Sequence, residues 1–220
     1  MTIDIDHDHV AVTPAAAPPE FPVTIGWTQA ALAIHSVMSL NTPVNLRMDI
    51  EMHGPLLIDF RHNAFSWATP LEYFPVEAVH TRLATIPTSA DAPPYVELPG
   101  QNLDGLLWAV GVNAFDGKRA FWLAPDERYR LTRWPNLTQH SHDMLQVRMI
   151  AVLGNAYAST AELAAFAGVK ESEAQRLINA LSLMRILASS SAVPAAPVAP
   201  PTAAAQRQTL FGRLRKRLGR

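Results

Sequence analysis

Residues 159–187, STAELAAFAGVKESEAQRLINALSLMRIL, read as two helices joined by a tight turn. Ser159 or Thr160 supplies the short oxygen-bearing side chain that caps a first helical turn. Glu162 stands where the positive end of a helix favours an anion. Leu163 and Phe166 follow at helical spacing and are expected to face inward. Gly168 falls where the chain must turn, and glycine reaches positive φ at little steric cost. Glu171 opens the second helix, whose buried face is expected to be Ala174, Leu177, Ile178, Leu181 and Leu183 or Met184.

A further helix is predicted upstream. Thr138 or Ser141 can cap it, Met144, Leu145, Met149 and Val152 are its core positions, and Gly154-Asn155 ends it. Residues 137–188 thus form an expected three-helix module. Residues 189–206 are a Ser, Pro and Ala linker.

The residues Ala161, Glu162, Leu163, Ala164, Gly168, Val169, Ala174, Leu177 and Leu181, with the step Ile186-Leu187, resemble the winged-helix or helix-turn-helix superfamily. The resemblance covers about residues 143–187 and none of the chain before them. It implies a helix whose exposed face, here Lys170, Ser172, Gln175, Arg176 and Asn179, meets DNA or a protein partner. Reading base edges needs Arg, Lys, Asn or Gln on that face, backed by phosphate contacts. Glu171 and Glu173 oppose phosphates at the helix start. Residues 143–187 hold four basic and four acidic groups, whereas counterion release needs unopposed cations. The superfamily's wing is not expected after Leu187, because ASSSAVPAAP follows. These features favour a packed scaffold for protein contacts. A DNA-binding transcriptional regulator is the alternative.

Upstream, residues 21–136 are expected to be an α+β domain. WTQAALAIHSVMS (27–39) suits a helix with Ala30, Ala31, Ile34, Val37 and Met38 along one side, stopped by Asn41-Thr42-Pro43. LRMDIEM (46–52), LLIDF (56–60) and Ala64–Trp67 read as an antiparallel meander broken at Gly54-Pro55 and His62-Asn63. Pro75 is expected to open a short helix over 75–86, with Val76, Val79, Leu83 and Ile86 as its apolar stripe. Residues 87–101 are expected to be a Pro/Gly loop, and 103–115 a helix ending near Gly117, with a buried strand as the alternative. AFWL (120–123) and YRLTRW (129–134) suggest a hairpin around Pro125-Asp126-Glu127. The predicted fold class is therefore α+β: a small antiparallel-sheet domain with helices, then the three-helix module, with disordered termini.

Net charge is −1, but six basic residues, Arg207, Arg213, Arg215, Lys216, Arg217 and Arg220, crowd the last stretch without an acid among them. The rest of the chain holds 12 basic against 19 acidic residues, a balance of −7. In this tail, 207–220, Leu210, Leu214 and Leu218 repeat every four residues with Phe211 beside them. As a helix it is amphipathic and cationic, suited to an anionic membrane surface or an acidic partner. It is too short to hold a helix alone in water.

No cysteine is present, which removes disulfide scaffolds and thiolate chemistry. The start, MTIDIDHDHV, has no signal-peptide character, and residues 1–20 are acidic and then Pro/Ala-rich. His7 and His9 alternate with Asp, a set that a disordered terminus is expected to offer a divalent ion only loosely, and His140 and His142 before Asp143 fail a metal-hydrolase signature because Met144 and Leu145 follow. No phosphate loop, nucleophile elbow or HExxH helix occurs. The expectation is a non-enzymatic regulatory or adaptor protein of the cytoplasm, held at most peripherally at a membrane. No cofactor, metal or catalytic residue is expected. Its partner is expected to be a protein, with nucleic acid as the alternative.

Overall fold

The alternation in residues 46–67 is realised as a meander. In the computed structural model of the protein, which describes residues 23–40, 43–77, 79–136 and 142–191, β2 (Val44–Ile50), β3 (Gly54–Asp59) and β4 (Ala64–Trp67) pair antiparallel in succession. Register sets Met48 opposite Leu56, and Leu46 opposite Ile58, so one face carries the apolar side chains. Leu46, Met48, Leu56, Ile58 and Phe65 are fully buried there. β1 (Thr24–Ile25) and β6 (Gln101–Asn102) are short outer strands, and with β5 (His80–Pro87) the sheet order is β1-β5-β2-β3-β4-β6. Helix α1 (Thr28–Ser39) packs against this sheet with Ala30, Ala31, Ile34 and Val37 buried, as its periodicity predicts.

The expected helix over 75–86 is a correction. His80–Pro87 is strand β5, paired from Thr81 to Pro87 with β2. Val79, Leu83 and Ile86 also fit a helical stripe, so spacing alone was ambiguous. The β-branched Thr81, Thr85 and Ile86 suit an extended chain, and the open edge of β2 supplies the partner that decides it.

The loop after β5 is held by one buried carboxylate. Asp59 accepts from the Tyr95 backbone N–H (2.9 Å), the Arg61 guanidinium (3.2 Å) and His62 Nδ1 (3.0 Å). Arg61 in turn donates to the carbonyls of Ser89 (2.7 Å), Ala92 (3.0 Å) and Pro93 (3.1 Å). Burial by itself would raise the Asp59 pKa. The Tyr95 N–H, Arg61 and His62 outweigh it and hold the carboxyl at about 2.

The second half begins with α2 (Leu103–Asn113), capped by Asn102. The helices α3 (Met144–Asn155), α4 (Thr160–Ala167) and α5 (Glu171–Leu183) follow as expected. Ser159 and Glu162 form a reciprocal capping box, and Gly168 takes φ 70° at the end of α4. The cap of α3 is Asp143, paired reciprocally with Gln146. The expected capping candidates Thr138 and Ser141 lie outside the described residues.

Two further expectations are corrected. Arg128–Leu131 (β7) does not form a hairpin with 120–123, which is a turn. It pairs instead with β8 (Leu187–Ser190), a strand at the very place where no wing was expected. Tyr129 also bridges Ala158, between α3 and α4. A strand from before the helices therefore completes the small sheet beside them. Short polar residues after Leu187 hide such a strand from pattern reading, because its partner lies some sixty positions away.

The sequence boundary at 136/137 does not divide the core. Buried residues from α1, the sheet, α2 and α3–α5 make one cluster. Helix α2 lies on α5 so closely that a Cβ on Gly111 would stand 2.5 Å from Ala180 Cα. The molecule is an α+β protein built on a six-stranded antiparallel sheet with helices packed on it.

Candidate docking surface

Helix α5 carries the residues expected to meet a partner or DNA, and the structure puts several of them inside. Asn179 is fully buried and Gln175 nearly so. Asn179 Oδ1 accepts from the Ala120 backbone N–H (3.1 Å) and from Gln175 Nε2 (2.9 Å). Asn179 Nδ2 donates to the Lys118 carbonyl (2.8 Å). Trp122 Nε1 donates to Ser182 Oγ (3.0 Å) one turn further on. Gly117 lies against Ser172, and Arg176 reaches Asp116 (3.3 Å). A strap of residues 115–122 thus covers the polar side of α5. Lys170 and Ser172 are exposed and Arg176 half-buried, but Gln175 and Asn179 are not free to read bases. That part of the site prediction is corrected. Polar side chains in a helix signal either an outer face or a buried hydrogen-bonding face, and only the covering segment distinguishes them.

The strap is anchored by aromatic packing as well. Trp122 stacks on His35 of α1 with centroids 4.1 Å apart, and Phe115 and Phe121 meet it edge-on. Burial, and then the nearby Arg185, lower the His35 pKa.

The other side of the module is open. A cavity of about 400 Å³ lies between α3 and α4, lined by Arg148, Ala151, Val152, Asn155, Ala156 and Phe166. Its accessible lining is almost wholly apolar. Val152 and Phe166, expected in the core, are only half-buried and form its walls. Met144, also expected in the core, is exposed. Sequence periodicity does not reveal this groove, because it marks every apolar position at helical spacing as interior. The alanines Ala151 and Ala156 were the available signal, since small residues leave room above a helix.

A larger cavity, about 830 Å³, runs beside α2 and the start of α3, with Glu72, Trp108, Asn113, His142, Asp143 and Gln146 on its walls. Its polar groups are largely committed. Asp143 and Gln146 cap α3 through each other, and Asn113 Nδ2 donates to the Ala109 carbonyl (2.8 Å). Among the described residues, no group of three or more His, Cys, Asp or Glu is placed to hold a metal ion. No helix among them is long and apolar enough to cross a membrane.

The tail residues Arg207, Leu210, Phe211, Arg213, Leu214, Arg215, Lys216, Arg217, Leu218 and Arg220 lie outside the described residues, as do His7, His9 and His140. Comparison of the chain with protein families, with curated proteins and with solved structures returned no match in any of the three.

Proposed function

We propose that this is a non-enzymatic regulatory or adaptor protein that docks a protein partner through the α3–α4 groove. Its basic tail engages an acidic surface. The observation that carries the reading is the groove itself: apolar, open, and set on two helices fixed by capping boxes and a common core. Such a groove suits the apolar stripe of an amphipathic helix, whose anchors recur every three to four residues. The nucleic-acid alternative has no comparable support, since Gln175 and Asn179 are occupied under the strap.

The test is site-specific photocrosslinking in cells. A crosslinking residue replaces the exposed Arg148 at the groove, and another replaces the exposed Ser66 on the sheet. The expected result is a discrete partner band from position 148 only, removed by Ala151→Glu in a protein of unchanged melting temperature. Identical bands from both positions, or a band indifferent to Ala151→Glu, would sink the reading. For the tail, flotation with anionic liposomes compares the full chain with one ending at Gln206. Equal flotation of the two removes the tail from the proposal.

A further inference from the structure

We infer that the groove's resident occupant is this chain's own tail, residues 207–220, so that the protein covers its docking surface with its own C-terminus. The inference rests on the docking reading above and adds a regulation to it.

Four observations carry it. The first is where the described chain ends. Ser191 directly follows β8, whose partner β7 packs against α3. The outgoing chain therefore starts on the module that bears the groove.

The second is reach. Between Ser191 and Leu210 lie 18 residues. They span roughly 24 Å as a coil and about 56 Å as an extended polyproline II chain. A module of this size is about 25 Å across. Tethering at such a span gives a local concentration on the order of millimolar, which no free competitor easily matches.

The third is shape. Arg148, Ala151, Val152 and Asn155 mark two turns of α3, about 10 Å of groove. If helical, as their sequence spacing allows, Leu210, Phe211, Leu214 and Leu218 would mark an apolar ridge of about 12 Å. Ala151 and Ala156 leave space for leucine side chains.

The fourth is charge. Neither α3 nor α4 has a basic residue in its last turn, so their negative ends at Asn155 and Ala167 are uncompensated from within. Glu171 and Glu173 follow in the first turn of α5, exposed and without an ion pair among the described residues. Arg213, Arg215, Lys216, Arg217 and Arg220 are the complement. Among the described residues, Arg148 is the one cation lining the groove.

The same four apolar residues face either the groove or an anionic surface, never both. Binding of the tail to an acidic surface then frees the groove, and by linkage a partner in the groove strengthens the tail's attachment elsewhere.

The test uses the full chain, which has no cysteine of its own. A nitroxide is placed on Thr209→Cys, beside the apolar ridge, and amide signals are followed by NMR. Signals of Ala151, Val152, Asn155 and Phe166 are expected to lose more than half their intensity, while those of Ser66 and Thr85 keep theirs. Leu214→Asp with Leu218→Asp should restore the groove signals. In a mixture of labelled chain with isotope-enriched unlabelled chain, no broadening should transfer. Unbroadened groove signals, uniform broadening, broadening that survives the double substitution, or broadening that transfers in the mixture would each overturn the inference. If it falls while Ala151→Glu still removes the cellular crosslink, the docking reading stands without it. If broadening is seen but the crosslink ignores Ala151→Glu, the docking reading falls instead.

Discussion

The polar side of α5 and the groove between α3 and α4 belong to the same three helices, yet one is sealed and the other open. The α5 side carries Gln175, Arg176 and Asn179, the residues a surface would be expected to show, and residues 115–122 cover it. The α3–α4 side carries Val152 and Phe166, the residues a core would be expected to claim, and nothing among the described residues covers them. Residue type therefore predicts exposure poorly here. What decides it is which other segment the chain can bring over, and whether that segment satisfies the hydrogen bonds beneath it.

The contrast can be broken most sharply at Asn179. Asn179→Ala leaves the buried Ala120 N–H without its acceptor and the Lys118 carbonyl without its donor. A loss of about 3 kcal/mol in unfolding free energy is expected by denaturant titration. A loss under about 0.5 kcal/mol would mean that the strap is not a structural part of the module. Next comes Gly111→Ala, whose new methyl would stand 2.5 Å from Ala180 Cα and force α2 off α5. A cost of about 2.5 kcal/mol is expected, with a single unfolding transition if both halves share one core. Two separate transitions in the parent chain would contradict that sharing.

Asp59 provides a pH test on the sheet side. Its folded pKa, about 2, lies below the ordinary 3.8, so its contribution is complete above pH 3.8 and is lost as pH falls toward 2. The loss is on the order of 2 kcal/mol. Asp59→Asn should flatten the acid limb of the stability profile between those values. An acid limb unchanged in Asp59→Asn would show that other carboxylates govern it. The smallest effect belongs to the open face. Ala151→Glu, at a groove wall, should change stability by less than about 0.5 kcal/mol while abolishing the crosslink from position 148. A large destabilisation there would reclassify the groove as unfilled core.

Much of the helical module was legible because its signals are local. Ser159 with Glu162, and Gly168 after Ala167, act within one or two turns, and each does what its chemistry implies. The meander of β2–β4 was legible for the same reason, since alternation and turn residues lie within each hairpin. Residues 75–86 were not, because Leu83 and Ile86 fit two periods and only pairing with β2 resolves them. The candidate site was legible only in part. The module that holds it was found, but its outward face was assigned to α5 when the open apolar surface lies on α3 and α4.

By itself, then, the sequence determined the helices α1 to α5, the cap and terminal turn of α4, the meander, and the separation of a cationic tail from an acidic body. Those follow from interactions spanning a few residues, or from composition. Only the tertiary structure decided that β7 joins β8, that the strap of residues 115–122 buries Asn179, and that Val152 and Phe166 wall a groove. Each of these depends on a partner dozens of positions away in the chain or on its absence, and no local preference encodes that.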